Sequence, residues 1–351
     1  MAYTDIDKPT DYFNTKLYTG NGSSQSISSV GFQPDLVWLK NRQDTDRHCL
    51  FDNVRGVEKV IFSHLTDAEQ STNLYGTLTS FDSDGFSLLN GSTSAERTNV
   101  NGENYVSWNW LASNTTASNT DGSITSTVSA NTTSGFSIVS YTGTGANATV
   151  GHGLGVAPKM IIIKNRSTAG SNWPVFHETQ GGTKIQWLNL ANSTATESGW
   201  WNNTDPTSSV FSIGTQNDLN KSSDNIIAYC FAEKKGFSKF GSYTGNGNAD
   251  GTFVYTGFKP AFVLYKQSSS AGNQWEMRDN LRDVTFNPTD KALAPDLSNA
   301  EFTTDPIDLL SNGFKFRGGN NQDNGSGSTY IYMCFAESPF TTSTGIPTTA
   351  R

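Results

Sequence analysis

The sequence predicts an all-β protein of three tandem β-sandwich repeats, and three observations lead to this prediction. Charged residues make up only 16% of the 351 residues, whereas helical proteins usually carry many Glu and Lys residues on their exposed faces. Aromatic residues make up 12%, which supplies enough large apolar side chains for a folded core. Finally, three similar openings, centres and endings recur in the same order in three segments of about 100 residues, a size that suits one sandwich domain each.

The repeated phrases set the boundaries of the predicted domains. The openings are LYTGNG, SYTGTG and SYTGNG, the centres are GFQPDLVWLKNR, GVAPKMIIIKNR and GFKPAFVLYKQS, and the endings are YVSWNWLA, IIAYCFAE and YIYMCFAE. We therefore predict an N-terminal segment (1–13), three repeats (14–112, 135–233 and 234–337), a linker rich in Ser, Thr and Asn (113–134) and a C-terminal tail (338–351).

Within each repeat, apolar runs bounded by turn residues predict the strands. The central runs 35–40 and 159–164 follow a proline and are mostly apolar, which indicates buried central strands. The closing runs 225–232 and 329–336 are expected to be similar. Asn-Gly and Asp-Gly pairs between the runs predict tight turns.

Two further elements are expected outside the strands. One or two short helical turns are predicted in each repeat, with 57–70 and 289–299 as candidates. The linker 113–134 is expected to attach the first repeat more loosely than the other two, and an extended segment at 123–129 is left open.

Charge and hydropathy exclude several classes of partner. The formal net charge of −8 and the pI of about 5.0 argue against nucleic acid, whose phosphates need a basic surface, and against an anionic membrane. No apolar run is long enough for membrane insertion. Because the opening MAYTDIDKPT lacks the pattern of a secretory signal, we expect synthesis in a cytoplasm, without disulfides.

Residues that could carry chemistry show no catalytic or metal-binding spacing. The cysteines (Cys49, Cys230, Cys334) form no Cys-x-x-Cys pair and are interpreted as small buried residues, and the histidines (His48, His64, His152, His177) lack metal-ligand spacing. We therefore predict no catalytic residue, no metal, no cofactor and no enzymatic activity. The Asn- and Asp-rich loops 246–250 and 320–324 could bind calcium, but turn formation is favoured.

An Asp/Arg pair recurs at one spacing, as Asp52 with Arg55 and as Asp279 with Arg282. The pair could belong to a binding site, or it could be a structural ion pair that pins the loop. Because its recurrence in two repeats suits a scaffold better than chemistry, we favour the ion pair.

Aromatic residues supply the best candidates for binding. Trp200 and Trp201 lie in the polar phrase SGWWNNTDP, where exposed indoles could stack on a glycan while Asn202 and Asp205 bind its hydroxyls. The other interpretation, a packing role at an edge or between domains, is the one we favour. Trp108 and Trp110 are two apart in a strand and share a face, which we assign to the core or to an inter-repeat contact.

Several long phrases resemble a known family. They include GFQPDLVWLKNR, LFDNVRG, SFDSDGF, YVSWNW and FAEKKGFSKFGSYTGNGNADGTFVYTGFKPAF. Over nearly the whole chain, the sequence resembles a repeat family of virion structural proteins from marine, cyanophage-like tailed phages. The resemblance implies fibre-like or lectin-like sandwiches of the jelly-roll type. The second repeat departs from the pattern, because it has FHETQGG where the others have FDNVRG and RDNLRD.

The resemblance also implies a function and partners. It implies a protein of the virion surface, made in the host cytoplasm, and first of all a tail fibre or receptor-binding component that recognises a host surface glycan. A capsid decoration protein or head fibre is the alternative, and a glycan-cleaving tail spike, which needs two carboxylates around one bond, is the second alternative. The expected partners are other virion proteins and further copies of the chain, with a homotrimer as the first expectation. The N-terminal segment is expected to attach to the particle, and the tail competes with it for this role.

Overall fold

Strands dominate the computed structural model, which describes residues 3–71, 74–92, 97–283 and 287–348. The first third of the chain contains β1 (Phe13–Thr19), β2 (Gln25–Ile27), β3 (Leu36–Asn41), β4 (Cys49–Asp52), β5 (Ile61–Phe62), β6 (Thr77–Asp82), β7 (Gly85–Leu89) and β8 (Asn104–Trp110). The second third contains β9 (Ala117–Asn119), β10 (Ser126–Asn131), β11 (Phe136–Thr142), β12 (Ala148–Gly151), β13 (Met160–Asn165), β14 (Pro174–His177), β15 (Lys184–Trp187), β16 (Ala195–Thr196), β17 (Val210–Ile213) and β18 (Asn225–Phe231). The last third contains β19 (Ser238–Thr244), β20 (Phe253–Tyr255), β21 (Phe258–Gln267), β22 (Glu276–Asp279), β23 (Thr289–Ala292), β24 (Phe302–Leu310), β25 (Gly313–Phe316) and β26 (Thr329–Pro339).

The helices of the described residues are short. They are a 3-10 turn (Pro9–Asp11), α1 (Ser198–Trp201) and α2 (Asn217–Asn220), and none of them has the length and apolarity needed to cross a membrane. The predicted all-β class is therefore confirmed.

Three large antiparallel sheets have the same order of corresponding strands. Sheet I has the order β1-β8-β3-β4-β5, sheet II has β16-β15-β14-β13-β18-β11-β10-β9, and sheet III has β19-β26-β21-β22. In each of them the closing strand (β8, β18 or β26) lies between the opening strand (β1, β11 or β19) and the central strand (β3, β13 or β21).

A smaller sheet accompanies each large sheet and encloses an apolar cluster with it. The smaller sheets have the orders β2-β7-β6, β12-β17 and β20-β25-β24-β23. In the first pair, Val37 and Leu39 of the central strand pack with Phe86 of the smaller sheet. In the last pair, Val263 and Tyr265 pack with Phe314. Each large sheet thus faces a smaller sheet, and the terms first, second and third sandwich denote these pairs in chain order.

The opposite faces of the three large sheets share one central core. Successive side chains of a strand point to opposite faces of the sheet. The side chains of Leu36 and Trp38 therefore point away from the first sandwich and into this core, as the side chain of Ile162 does from sheet II. Every residue of β3 and β13 is therefore buried, which confirms the predicted central strands.

Trp110 occupies the meeting point of the three sheets. Its ring lies 5.0 Å from Phe13, 6.3 Å from Phe231 of sheet II, and 5.9 and 5.7 Å from Phe262 and Phe335 of sheet III, measured between ring centroids. The predicted assignment of the Trp110 face to a core or an inter-repeat contact is confirmed. Removal of this side chain should therefore affect all three sheets.

Buried hydrogen bonds connect the three sheets in a closed ring. In each bond, one partner lies in a closing strand and the other lies in a different sheet. The three bonds join three different pairs of sheets. Tyr229 Oη of sheet II donates to Asp52 of sheet I (2.7 Å), Trp108 Nε1 of sheet I donates to Asp279 of sheet III (3.1 Å), and His177 Nε2 of sheet II donates to the Tyr332 carbonyl of sheet III (3.1 Å).

The structure corrects two expectations from the sequence. The segment 113–134 is not a loose linker, because β9 and β10 extend sheet II by pairing with each other and with β11. The candidate helical turns 57–70 and 289–299 are wrong, since they contain β5 and β23, whose residues pair at sheet edges. Pairing at a sheet edge satisfies the backbone hydrogen bonds of these short segments, which could not form a stable helix alone.

A buried acid in the loop between β25 and β26 predicts a change of stability with pH. Both carboxylate oxygens of Asp323 are buried and lack a hydrogen-bond partner in the described part of the chain. Burial, and then the nearby Glu276 carboxylate, raise the pKa of Asp323 to about 8. A folded-state pKa above the unfolded value lowers stability as pH rises from about 4 to about 8.

We therefore expect Asp323→Asn to become more stable than the wild type as pH rises. The gap in unfolding free energy should widen by at most about 1.4 kcal/mol for each pH unit between about 4 and 8. Urea unfolding at a series of pH values measures this gap. The exposed Glu58→Gln is the matched control and should show no such widening. A constant gap across the series would contradict the assignment.

Candidate functional site

The predicted tryptophan pair does not form a binding surface. Trp200 and Trp201 are 6% and 1% exposed and lie in the apolar cluster of the second sandwich. Trp201 packs edge-on against Phe176, at 5.7 Å, and Trp200 packs against Trp187, at 5.6 Å. The indole faces are therefore closed to a sugar, and the hypothesis of exposed stacking residues is wrong. A packing role is what the structure shows.

The turn after α1 explains why the polar neighbours are exposed while the indoles are not. Asn202 adopts a left-handed conformation (φ 51°) that ends the helix and turns the chain outward. The exposed Asn202 accepts a hydrogen bond from Asn147 Nδ2 (2.9 Å), and the exposed Asp205 accepts one from the Gly182 amide (2.6 Å). Both side chains stabilise local turns.

The recurring Asp/Arg pairs are structural, as the favoured hypothesis predicted. Arg55 Nε lies 2.5 Å from Asp52, and Arg282 Nε lies 2.5 Å from Asp279, with all four side chains fully buried. Each arginine also reaches a glutamate that an arginine from another sheet contacts. These are Glu69 with Arg166 in one network and Glu301 with Arg42 in the other.

The other candidates from the sequence, the cysteines and the two Asn- and Asp-rich loops, contribute to packing or to turns. All three cysteines are buried and unpaired, and burial raises the pKa of Cys49 to about 12, which suppresses thiolate chemistry. In the loops 246–250 and 320–324, Asn246 Oδ1 accepts the Asn248 amide and Asn320 Oδ1 accepts the Gln322 amide, so these loops are Asx turns as favoured. Among the described residues, no group of three His, Cys, Asp or Glu is placed to hold a metal.

Exposed aromatic rings gather at a cleft that the sequence did not suggest. Tyr3 is 63% exposed, Tyr255 is 62% exposed and Phe340 is 44% exposed, although large apolar rings are mostly buried in this chain. Together with Glu233 and Lys239 they line a cleft of about 310 Å³, which we call the aromatic cleft. Its volume is at the lower end of the range for small-molecule sites.

Strand alternation and a glycine position the Tyr255 ring. In β20, Val254 points into the third sandwich, so Phe253 and Tyr255 point to solvent. The chain then turns at Gly257, whose φ of +83° favours glycine. The Gly257 carbonyl accepts the amide of Phe340, which places the second ring beside the first.

Contacts with the turn before β19 hold the third ring, Tyr3, at the cleft. Thr4 Oγ1 donates to the Lys235 carbonyl (2.8 Å), and the Asp5 amide donates to the same oxygen (3.0 Å). A glycine is required at position 236, because a Cβ there would overlap Thr4 and its φ is +77°. The N-terminal segment is therefore packed on the protein along residues 3–13.

The polar wall of the cleft consists of a charged pair. Lys239 Nζ lies 2.7 Å from a Glu233 oxygen, and both side chains are about one-third exposed. Aromatic faces bind the apolar C–H face of a sugar, while a carboxylate and an ammonium group bind its hydroxyls. The aromatic cleft thus has the chemistry for a saccharide that the tryptophan pair lacks.

Only part of this site had a signal in the sequence. The alternation in Phe253-Val254-Tyr255 before a glycine turn marks Tyr255 as an outward residue of a strand. Tyr3 and Phe340 lie far from it in sequence and are brought together by tertiary contacts, so no local pattern could have joined them.

Comparison with known proteins places the chain in a family. A family model described as a domain of unknown function, DUF7483, matches residues 8–339. No curated protein and no solved structure matches the chain. The matched range extends through all three large sheets, so the family corresponds to the whole ring of sheets.

Proposed function

Because this chain belongs to the DUF7483 family, whose model extends over all three large sheets, we propose a single function for the whole chain. The protein is a virion surface protein that binds a host glycan in its aromatic cleft. The resemblance to virion structural proteins of tailed phages supports its place on a particle. The observation that carries the binding role is the group of three exposed rings, Tyr3, Tyr255 and Phe340, around a charged wall. We place it first in a tail fibre or receptor-binding component.

The proposal includes an architecture of three tandem sandwich repeats. The common strand order of sheets I, II and III supports it, as does the position of each repeated phrase in a corresponding strand. The shared core and the three buried hydrogen bonds restrain the three sandwiches relative to one another. Rigidity suits a receptor-binding protein, because a preformed site loses less conformational entropy on binding.

A capsid decoration protein or head fibre is the second candidate, and one observation favours it. Three units with a common strand order contact one another in pairs, as three subunits around a threefold axis do. Such an arrangement suits a local threefold position of a closed shell, where surrounding subunits present three similar surfaces. The three sandwiches of one chain thus form the kind of arrangement that we expected three chains to form as a homotrimer.

Cleavage of the glycan has less support from the cleft than binding. Glycoside hydrolysis needs two carboxyl groups, one on each side of the scissile bond. Glu233 is the one acid among the described residues that line the cleft, and it is already paired with Lys239.

We expect Tyr255→Ala to weaken binding to host surface polysaccharide at least about tenfold, which corresponds to about 1.4 kcal/mol. The loss follows from the removal of the most exposed stacking face on the sheet side of the cleft. Phe253→Ala is the matched control, because this ring lies on the same face of β20 but does not line the cleft. Calorimetric titration, with thermal melting to verify folding, measures both variants. An equal loss in both variants would remove the cleft from the proposal.

The place on the particle is tested by antibody labelling of whole virions under the electron microscope. Label on the tail or its fibres is expected for a receptor-binding component. Label spread over the head would replace this function with capsid decoration.

A further inference from the structure

The junctions between the large sheets share one backbone contact. The carbonyl after each central strand accepts an amide hydrogen bond from the neighbouring sheet's third of the chain. These bonds join Glu69 N–H to the Arg166 carbonyl (2.9 Å), Glu301 N–H to the Arg42 carbonyl (2.8 Å), and Thr194 N–H to the Ser268 carbonyl (3.0 Å). The three junctions therefore have equivalent backbones and differ in their side chains.

Charged side chains fill two of the three junctions. At the first, Arg166 Nε lies 2.8 Å from Glu69, and Arg55 contacts the same carboxylate at 3.2 Å. At the second, Arg42 Nε lies 3.0 Å from Glu301, and Arg282 contacts it at 3.1 Å. The near-identical distances show that this space accommodates two guanidinium groups and a carboxylate.

Small neutral side chains occupy the same positions at the third junction. Gln180, Thr194 and Ser268 stand where the other junctions have Arg, Glu and Arg. Their smaller volume leaves a cleft of about 350 Å³ between sheets II and III, which we call the hydroxyl cleft. Residues of both sides line it, including Thr329 of β26 and Lys184 of β15.

The lining of the hydroxyl cleft is rich in hydrogen-bonding groups. Most of its described residues are Ser or Thr, none of them is acidic, and Lys184 supplies an exposed cation. Gln180 donates through Nε2 to Thr194 (2.6 Å), but its Oε1 is buried and accepts no hydrogen bond from the described residues. The Ser and Thr hydroxyl groups of the lining offer a ligand both hydrogen-bond donors and acceptors.

We propose that the hydroxyl cleft is a second binding site, which takes a polyhydroxylated ligand the size of one sugar residue. Hydroxyl groups can both donate to and accept from Ser and Thr side chains. The ligand lies between sheets II and III and takes the place of the ion pairs that hold the other two junctions. Binding therefore stabilises the junction that lacks charged contacts.

This site does not rest on the aromatic cleft, and the experiment separates the two. Glucose, galactose and glucuronate are the probes, and saturation-transfer NMR on the full chain detects their binding. We expect the wild type and Tyr255→Ala to bind at least one probe with affinities that agree within about twofold. Preference for glucuronate over glucose assigns Lys184 to the carboxylate, and equal affinity assigns the site to neutral polyols.

The decisive variant fills the cleft with the pair found at the other junctions. Thr194→Glu combined with Ser268→Arg is expected to fold, because the same pair fits the same backbone twice in this chain, and to weaken probe binding at least about tenfold. Ser268→Gln, which adds bulk without charge, repeats the test should the double variant fail to fold. Unchanged binding in a folded filled variant, or no binding of any probe to the wild type, would overturn the proposal.

Discussion

Arg55→Met is expected to lower the free energy of unfolding by about 3–5 kcal/mol. The guanidinium group is fully buried, and it neutralises Asp52, which is equally buried, and Glu69, which is largely buried. Its removal leaves two carboxylates in an apolar interior with a single remaining cation, Arg166. Asp52 also holds Tyr229 of sheet II, so the damage extends across the junction. Urea unfolding followed by circular dichroism measures the loss.

The third junction provides the control for this prediction. Gln180→Met removes the corresponding neutral side chain and one hydrogen bond, so a loss of about 0.5–1.5 kcal/mol is expected. The companion experiment gives the first junction the neutral residues of the third junction. It combines Asp52→His, Arg55→Gln, Glu69→Thr and Arg166→Ser, and it should be more stable than Arg55→Met alone, because no unpaired charge remains. A smaller loss in Arg55→Met than in Gln180→Met would contradict the role of the ion network.

Trp110→Ala is expected to cost about 3–5 kcal/mol and to weaken all three sheets together. The indole is 2% exposed and contacts Phe231 of sheet II and Phe262 of sheet III. A cavity at this point removes packing from each sheet at once. Hydrogen exchange should therefore accelerate in β8, β18 and β26 alike.

Phe86→Ala tests whether the effect of Trp110 comes from its central position. Phe86 is fully buried, but it lies in the cluster of the first sandwich, away from the shared core. Its loss should accelerate exchange mainly in β6 and β7. Faster exchange limited to sheet I in Trp110→Ala would show that the three sheets do not depend on a common core.

The sequence predicts the strands better than their arrangement. The run Met160 to Ile163 is apolar at every position, and this pattern marks a strand that is buried on both faces. It does not specify what covers each face, because a row of sandwiches and a closed ring bury the same residues. The ring depends on contacts such as Trp108 with Asp279, between residues far apart in sequence.

The site was harder to predict, since exposure depends on tertiary contacts. Polar neighbours suggested that Trp200 and Trp201 are exposed, yet the left-handed Asn202 directs the polar residues outward and leaves the indoles inside. Tyr255 had a local signal in its strand. The third junction is visible in the sequence as the departure FHETQGG, but its meaning required the two charged junctions for comparison.

The closed ring also limits how such a protein can evolve. Open repeat arrays grow or shrink by duplication and loss of units, because each end offers a surface on which another unit can stack. Here the first sheet binds both the second and the third, so a fourth copy would have to break an existing junction. The number of units should therefore stay at three among descendants of this chain, while new properties arise by divergence of single units and of the seams between them.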